Sequence, residues 1–231
     1  MILKDSTPLK AAAVSEIFYP ETDGMPLPDG AYQLEHFLET LEILKRFFRA
    51  FADVLVSGNT FIYYEEGNPR ALVSPDCYVA FGVDVGLYMR NDNYRVWDMG
   101  KPPDFALEIG SASTARNDVG EKRELYARLG IGEYWRFDPS GGEHYGYGLL
   151  GERLVDGEYV EMEMSRELDG RAWGFSPTLN LEIHWEAGRL RFYDPVGVRW
   201  LESAEETEDR AKLAEARLAE LEAELRRLGA G

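Results

Sequence analysis

One stretch of the sequence restricts the fold more than any other: "PPDFALEIGSASTARNDVGEKRELYARLG", residues 102–130. It predicts a buried strand, a serine-rich loop and then a helix. Because side chains alternate along a strand, its residues separate into two faces, with Phe105, Leu107 and Ile109 on one and Asp104, Ala106, Glu108 and Gly110 on the other. The neighbours of Glu108 on its own face are small, which leaves room beside its carboxylate for an ion or a ligand.

The helix that follows places a lysine on its inward side. Residues 118–129 have the pattern of an amphipathic helix, with Asp118 as the predicted N-cap and Gly130 as the predicted C-cap. The inward stripe consists of Val119, Lys122, Tyr126 and Leu129. A buried ammonium group without a partner is costly, so we expect a carboxylate or a phosphate near Lys122.

A second strand repeats the pattern of the first. In "SPDCYVAF", residues 74–81, one face carries Cys77, Val79 and Phe81 and the other carries Asp76 and Tyr78. We therefore expect Asp76, Glu108 and Lys122 to converge on one site, where the acids hold a divalent cation and the lysine orients water or stabilises negative charge. The competing interpretation is structural, because acids are common where strands begin and an inward lysine often only extends its alkyl stem over apolar surface.

The order of the remaining elements predicts an α/β fold. The pattern divides into a loop over 1–30, an amphipathic helix over 32–51, three strands within 52–85, a polar loop over 88–103, strands at 104–110 and 133–139, and hairpins to about 194 with turns at "DGEY" and "LDGRAW". We expect a mixed central sheet flanked by helices, with added β-hairpins. Residues 1–200 form one predicted domain, and residues 201–231 form a helical tail.

The tail carries a heptad repeat. Its seam, with alternating spacings of three and four residues, consists of Ala204, Thr207, Ala211, Ala214, Leu218, Leu221, Leu225 and Leu228. This pattern favours a C-terminal coiled-coil helix that joins two copies of the chain into a homodimer. A single amphipathic helix that leans on the domain is the competing interpretation.

The charge of the chain constrains any role with nucleic acid. Its 231 residues include 42 acids and 25 lysines and arginines, a net charge of −17. Residues 201–231 hold nine acids and five bases, which leaves −13 on the remainder. Because proteins bind nucleic acid largely by neutralising phosphates, such a role needs a local basic patch, metal ions or a second subunit. Arg116, Arg123 and Arg128 are the candidates for that patch, with solvated helix charges as the competing interpretation.

Composition also limits the setting of the protein. Cys77 is the single cysteine, so the chain can form neither an internal disulfide nor a cysteine-based zinc site. No apolar run approaches the ~20 residues that span a bilayer, and the N-terminus lacks the pattern of a secretory signal. We expect a cytoplasmic protein without a membrane partner.

Five stretches of the chain resemble the restriction-endonuclease family known as Uma-two, within the PD-(D/E)XK nuclease superfamily. They are "YPETDGMPL", "VSGNTFIYYEEGNPRALVSPDCYVAFGV", "PPDFALEIGSAST", "EKRELYARLGIGEYWRFDP" and "LRFYDP". The likeness runs from about residue 18 to the C-terminus, and the charged helical tail is similar to those of many members. The resemblance implies a restriction-endonuclease-like fold that acts on DNA, with Mg²⁺ held by acids on adjacent strands and Mn²⁺ as a substitute.

Carried over by position, the resemblance implies the catalytic residues. Asp76 matches the aspartate of the family's "PD" motif and Glu108 matches the acid of the following strand, so both would hold the metal. The superfamily's lysine normally lies two residues after that acid, where this chain has Gly110. In this family the lysine lies on the next helix, a position that Lys122 fits.

Further residues are additional candidates for the site. Asp104 matches a second "PD" of the family and is either a metal ligand or simply the first residue of its strand. Glu35 or Glu39 on the first helix would supply the acid that some superfamily members carry there. Tyr126 lies one turn after Lys122, with packing as its competing role.

These observations predict a Mg²⁺-dependent endonuclease that hydrolyses DNA phosphodiester bonds. A second hypothesis is a catalytically inactive protein of the same fold, which assembles with partners through its C-terminal helix. A third is a hydrolase of another class, with Asp76 and Glu108 as the acid and base of a glycosidase.

Overall fold

The computed structural model describes residues 18–20 and 31–229. Apart from residues 18–20, the loop predicted over residues 1–30 lies outside the described residues. The helices are α1 (Ala31–Phe48), α2 (Val85–Asn91), α3 (Val96–Met99), α4 (Ala115–Val119), α5 (Glu121–Leu129) and α6 (Ala204–Gly229). The strands are β1 (Val54–Ser57), β2 (Ile62–Tyr63), β3 (Leu72–Val73), β4 (Cys77–Phe81), β5 (Tyr94–Arg95), β6 (Phe105–Ile109), β7 (Glu133–Phe137), β8 (Leu149–Val155), β9 (Glu158–Glu161), β10 (Met164–Arg166), β11 (Ala172–Ser176), β12 (Leu181–Glu186), β13 (Arg189–Asp194) and β14 (Arg199–Trp200).

A six-stranded mixed sheet forms the centre of the molecule. Its strand order is β1-β4-β6-β7-β8-β9. Strands β6 and β7 run parallel, whereas the other neighbours are antiparallel. Parallel neighbours need a crossover, and here α4 and α5 provide it. The predicted α/β class, with a mixed central sheet flanked by helices, is confirmed.

The two faces of the central sheet bury different sets of side chains. Phe105, Leu107 and Ile109 of β6 enter the larger apolar core, together with residues of α1. Ala106 enters a second core on the opposite face, which contains Tyr126 of α5. The alternation predicted for this strand therefore holds, and it turns Glu108 towards α5.

Two smaller sheets complete the fold. The five-stranded sheet β10-β11-β12-β13-β14 packs on the α1 face of the central sheet, and β3-β2-β5 forms the other. The predicted hairpin turn at "DGEY" joins β8 to β9, with Asp156 and Gly157 at φ of 51° and 87°. Positive φ at both residues gives the turn that fits twisted antiparallel strands.

The region before β6 differs from the prediction in two respects. Residues 52–85 contain four strands instead of three, because the chain leaves β3 at Pro75, which has no N–H for a ladder bond, and enters the central sheet as β4. The polar loop predicted over 88–103 instead holds the end of α2, then β5 and α3. The missed signal was Asp84, whose side chain caps α2 by accepting a hydrogen bond from Leu87 N at 2.9 Å.

The helix predicted over 118–129 is interrupted. Gly120 has φ −111° and ψ −102°, so α4 ends at Val119 and α5 begins at Glu121. Asp118 is therefore not the N-cap; it is fully buried in α4. The predicted C-cap is correct, since Gly130 adopts the left-handed conformation at φ 86°.

The tail forms one long helix, α6, that contacts the body at its first turns. Ser203 and Glu206 form a capping box, in which Glu206 N donates to Ser203 Oγ at 3.1 Å and Ser203 N donates to Glu206 Oε2 at 3.0 Å. Arg46 of α1 donates to Thr207 Oγ1 at 2.9 Å, and Arg191 pairs with Glu206 at 2.9 Å. From residue 208 to 228 every side chain except Ala223 is exposed, so the helix does not lean on the domain.

The helices can also be compared with the span of a bilayer. Among the residues that the structure describes, none of the helices combines the length and the apolar character that crossing a membrane requires.

The position of Cys77 leads to a test of the core. Its thiol is fully buried in β4, and burial raises the pKa of the thiol well above its usual value. We expect no reaction of the native protein with a thiol-specific reagent such as DTNB, and release of one thiol per chain after denaturation in guanidinium. Rapid labelling of the native protein would contradict this packing of β4.

Candidate active site

Two carboxylates meet where β4 begins beside β6. Asp76 directly precedes β4, whose Cys77 pairs with Leu107 of β6. Asp76 Oδ2 accepts a hydrogen bond from Ile109 N at 2.7 Å, and Asp76 N lies 3.4 Å from Glu108 Oε2. The two residues are 9% and 1% exposed. Both acids that the sequence singled out are therefore buried side by side.

Lys122 of α5 reaches this pair of acids. Its Nζ lies 2.8 Å from Glu108 Oε2 and 3.1 Å from Asp118 Oδ1. Tyr126, one turn later, donates its hydroxyl to Glu108 Oε1 at 2.6 Å. The side chain of Lys122 keeps 16% of its surface exposed, whereas that of Glu108 keeps 1%.

A third acid, Asp118, belongs to the same cluster. Its side chain is fully buried, and Tyr145 donates its hydroxyl to Asp118 Oδ2 at 2.7 Å. Asp138 in turn holds the loop of Tyr145, since Asp138 Oδ2 accepts from the backbone N–H groups of His144 and Tyr145. Sequence reasoning took Asp118 for a helix cap; its spacing of four residues from Lys122 was the signal that could have placed it beside the ammonium group.

Burial and charge act on the ionisation of the cluster in opposite directions. Burial raises the pKa of Asp76 and of Glu108 above their usual values, although Lys122 partly offsets the shift. Burial alone would lower the pKa of Lys122, but Glu108, Asp118 and Asp76 together raise it. The ammonium group therefore stays charged, and three ionised acids would leave the cluster with a formal charge of −2. A divalent cation would neutralise that excess.

The structure gives a physical reason why no lysine follows Glu108 on β6. A Cβ atom at Gly110 would lie only 2.8 Å from Cε2 of Tyr145, closer than real Cβ contacts allow. The tyrosine that holds Asp118 therefore occupies the space of a side chain at position 110. The ammonium group reaches Glu108 from α5 instead.

Gln33 of α1 binds the same residue of β6 as Asp76, and sequence reasoning missed it. Its Nε2 donates to Ile109 O at 3.0 Å. Continuing the antiparallel register places Pro75 opposite Ile109, and proline has no N–H to donate there. Among the described residues, the buried Gln33 Oε1 has no hydrogen-bond partner, so an amide oxygen lies unpaired on the side chain that binds Ile109, the residue whose N–H bonds Asp76.

Other predicted residues lie apart from this cluster. Asp104 pairs with Lys101 at 2.7 Å and accepts from Phe81 N at 2.8 Å. Glu35 is exposed on α1, and Glu39 pairs with Arg189 at 2.7 Å. The structure therefore brings together Asp76, Glu108, Lys122 and Tyr126, but neither Asp104 nor the acids of the first helix.

The predicted phosphate patch is reduced by an internal ion pair. Arg123 binds both carboxylate oxygens of the buried Glu152, with contacts of 2.8–3.0 Å. Arg116 and Arg128 remain exposed. Two of the three arginines are therefore exposed and free of the internal pair with Glu152.

Three clefts of the described structure lie away from the site, and its acids do not form a ready-made set of metal ligands. Three surface clefts of about 440, 430 and 530 Å³ are lined by other residues, without Asp76, Glu108 or Lys122. Within residues 18–20 and 31–229, no group of three or more His, Cys, Asp and Glu side chains is arranged to hold a metal ion. The oxygens at the site are those of Asp76 and Glu108, which bond Ile109, Lys122 and Tyr126, and the unpaired amide oxygen of Gln33 belongs to the side chain that binds Ile109.

The fold and the cluster together define a class: a mixed α/β protein that buries two acids and a lysine at the edge where two central strands meet. Comparison with known proteins then gives the family. The model of the Uma2 family, described as "Putative restriction endonuclease", matches residues 18–186. The chain therefore belongs to the Uma2 family.

The chain was also compared with curated proteins and with solved structures. No curated protein matches the chain. A crystal structure from Anabaena variabilis, titled as a "putative nuclease belonging to DUF820", is similar with 16% identity and a TM-score of 0.46. That likeness covers 67% of this chain and 76% of the other.

The contact between Gly110 and Tyr145 can be tested by a double-mutant cycle. Gly110→Ala should destabilise the fold by about 1–3 kcal/mol, because its methyl group overlaps the tyrosine ring. Tyr145→Ala removes that ring, so the double variant should be more stable than the sum of the two single effects. Urea unfolding of the four proteins measures the coupling, and strictly additive effects would contradict the contact.

Proposed function

We propose that this protein is a metal-dependent endonuclease that hydrolyses phosphodiester bonds in DNA. The observation that carries the proposal is the convergence of Asp76, Glu108 and Lys122, which lie far apart in the sequence but in one buried cluster. Membership in the Uma2 family, whose model is described as a restriction endonuclease, supports the same activity.

The donor atoms of the cluster fit Mg²⁺. Carboxylate and amide oxygens are hard ligands, and Mg²⁺ typically takes one or two carboxylates from a protein and keeps several waters. Asp76 and Glu108 would hold the ion, with Gln33 Oε1 as the nearby neutral oxygen and Mn²⁺ as a substitute. When bound, the ion would supply Lewis-acid polarisation of the phosphate oxygens.

Lys122 would stabilise the negative charge that develops as water adds to phosphorus and the phosphorus–oxygen bond to the leaving group breaks. Its contacts with Glu108 and Asp118 keep the ammonium group protonated and oriented. Tyr126 acts as a donor to Glu108, since burial and the neighbouring carboxylate raise the pKa of its hydroxyl. Asp118 and Tyr145 act through the lysine, as positioning residues.

An acidic protein needs help to bind DNA. The exposed Arg116 lies two residues before Asp118 and is the nearest candidate for a phosphate contact. A second copy of the chain, joined through α6, would double the number of such contacts. Dimerisation would therefore assist a body whose net charge repels the substrate.

A second candidate function is a nuclease-fold interaction protein without catalysis. The net charge of −17 and the exposed apolar seam of α6 favour it. The glycosidase hypothesis has no such support, because a sugar ring must fit between the two carboxyl groups. Here Asp76 and Glu108 pack side by side, with Asp76 N 3.4 Å from Glu108 Oε2.

The nuclease proposal predicts nicking of supercoiled plasmid in the presence of Mg²⁺ or Mn²⁺. Glu108→Gln and Lys122→Met should each lower the rate by at least about 100-fold, the usual scale for losing an electrostatic contact in the transition state. The measurement is the conversion of supercoiled to open-circular DNA over time on an agarose gel.

Lys101→Met is the matched control for Lys122→Met. It breaks a lysine–carboxylate pair of similar length, 2.7 Å against 2.8 Å, at a different point of the sheet. We expect it to retain the wild-type rate. Absence of cleavage under every metal by a folded wild-type protein would favour the interaction protein instead, and equal losses in both lysine variants would remove Lys122 from the mechanism.

Metal binding can be measured apart from cleavage. Mn²⁺ at 100 times its dissociation constant should stabilise the fold by about 2.7 kcal/mol, which is seen as a rise in melting temperature. The rise should be lost in Asp76→Asn, which keeps an acceptor for Ile109 N but removes the charge. An equal rise in that variant would contradict the assignment of Asp76 as a ligand.

The raised pKa values of Asp76 and Glu108 predict how the stabilisation by metal changes with pH. Folded protein without metal holds protons that the unfolded chain has released, so its stability falls as pH rises through the range between the usual and the raised pKa values. Because metal competes with those protons, the rise in melting temperature caused by Mn²⁺ should be larger at pH 8 than at pH 6. A larger rise at pH 6 would contradict this ionisation.

A further inference from the structure

The exposed face of α6 carries a row of leucines that the rest of the described chain does not cover. Leu218, Leu221, Leu225 and Leu228 are 58%, 43%, 68% and 73% exposed. They alternate at spacings of three and four residues, so they form one stripe along the helix. A stripe of this kind fits the same stripe on another helix.

The charges that flank the stripe indicate which helix that is. With Leu218 and Leu225 at position a and Leu221 and Leu228 at position d, the residues that follow the first three d positions of the helix are glutamates: Glu208, Glu215 and Glu222. The residues that precede a at the two central heptads are arginines, Arg210 and Arg217. Each flank of the helix therefore carries charge of one sign over the heptads from 210 to 222.

In a parallel, in-register pair, the residue just before an a position on one helix faces a residue of the partner that lies five positions later in the sequence. That partner residue is the one just after the next d position. Arg210 then faces Glu215, and Arg217 faces Glu222. Two-fold symmetry repeats both contacts, which gives four attractive pairs. An antiparallel pair would instead place the glutamate flanks of the two helices against each other, whatever the register.

We propose that α6 pairs with α6 of a second copy as a parallel, in-register two-stranded coiled coil. The parallel orientation of the two helices rests on the homodimer included in the proposed function, but it does not depend on nuclease activity. Arg210 and Arg217 now bond Glu202 and Glu220 of their own chain at 3.0 and 2.9 Å. Both arginines are more than two-thirds exposed, so they can exchange these partners at little cost.

The parallel orientation has a consequence for the bodies of the two chains. The body precedes α6 and contacts it only at its first turns, through Arg46 and Arg191. Parallel helices place the two bodies at the same end of the coiled coil, related by a two-fold axis. Two sites at one end can then meet one ligand, whereas antiparallel helices would hold them at opposite ends.

Disulfide cross-linking tests the orientation directly. Leu228→Cys introduces a thiol at a d position, and the native Cys77 is fully buried and so does not interfere. In a parallel pair the two introduced thiols face each other, so mild oxidation with oxidised glutathione should convert the monomer band to a dimer band on a non-reducing gel. Ala216→Cys, on the outer face of the same helix, is the matched control and should remain monomeric on the gel.

Charge exchange tests the pairing of Arg217 with Glu222. Arg217→Glu replaces two attractive contacts by repulsion, and we expect it to raise the dimer dissociation constant about tenfold. Glu222→Arg in the same chain should restore the wild-type constant, because the pairs re-form with reversed charge. Lys212→Glu, an equal charge change away from the seam, should leave the constant unchanged. Sedimentation velocity measures all four constants.

The outcomes separate the parts of the proposal. A wild-type protein that sediments as a monomer at micromolar concentration overturns the assembly as well as its orientation. A dimer in which Leu228→Cys does not cross-link, or in which Glu222→Arg fails to rescue Arg217→Glu, overturns the orientation alone. Absence of DNA cleavage by a wild-type protein that forms the cross-linked dimer contradicts only the nuclease proposal. The dimer and the parallel orientation of its helices are then retained.

Discussion

The site depends on one ammonium group among buried carboxylates. Burial of the Glu108 carboxylate on a strand is costly unless partners compensate it, and Lys122 at 2.8 Å is its charged partner. The backbone break at Gly120 sets α4 and α5 so that Asp118 and Lys122 both face inward. Tyr145, held by the loop around Asp138, then fixes Asp118. Each of these features has a role only because the lysine lies where it does.

Charge compensation also separates the acids of the site from the structural acids of the fold. Glu133 is as buried as Glu108, but its carboxylate accepts hydrogen bonds from Trp135 Nε1, Ser176 Oγ and Thr178 N, and it ties the central sheet to the second sheet. The carboxylate of Glu133 therefore has hydrogen-bond donors for both of its oxygens. At the site, three acids share one lysine, and an amide oxygen of Gln33 lies buried without a partner among the described residues. An incomplete charge balance of this kind marks a candidate functional site.

The negative charge of the body and the apolar seam of α6 are related through dimerisation. A body with a net negative charge binds DNA poorly as a single copy, and two bodies at one end of a parallel coiled coil would present the exposed Arg116 and Arg128 of both copies together. The seam of α6 carries small residues near the body and leucines only in its last two heptads. Most of the association energy would therefore come from the part of the helix farthest from the body, with the flanking charges deciding orientation.

The sequence by itself determined which side chains share a face of each strand and helix. The alternation along β6 and β4 placed Glu108 and Asp76 opposite the larger apolar core, the helical spacing turned Lys122 inward although it wrongly included the exposed Val119, and the heptads of α6 defined its stripe, because these properties depend only on local periodicity. Tertiary structure decided the partners. Asp118 moved from a predicted cap into the cluster when Gly120 broke the helix, Tyr145 filled the space beside Gly110, and Gln33 replaced the donor that Pro75 lacks. Asp104 went instead to Lys101. Such contacts join residues far apart in the chain, so no local pattern specifies them.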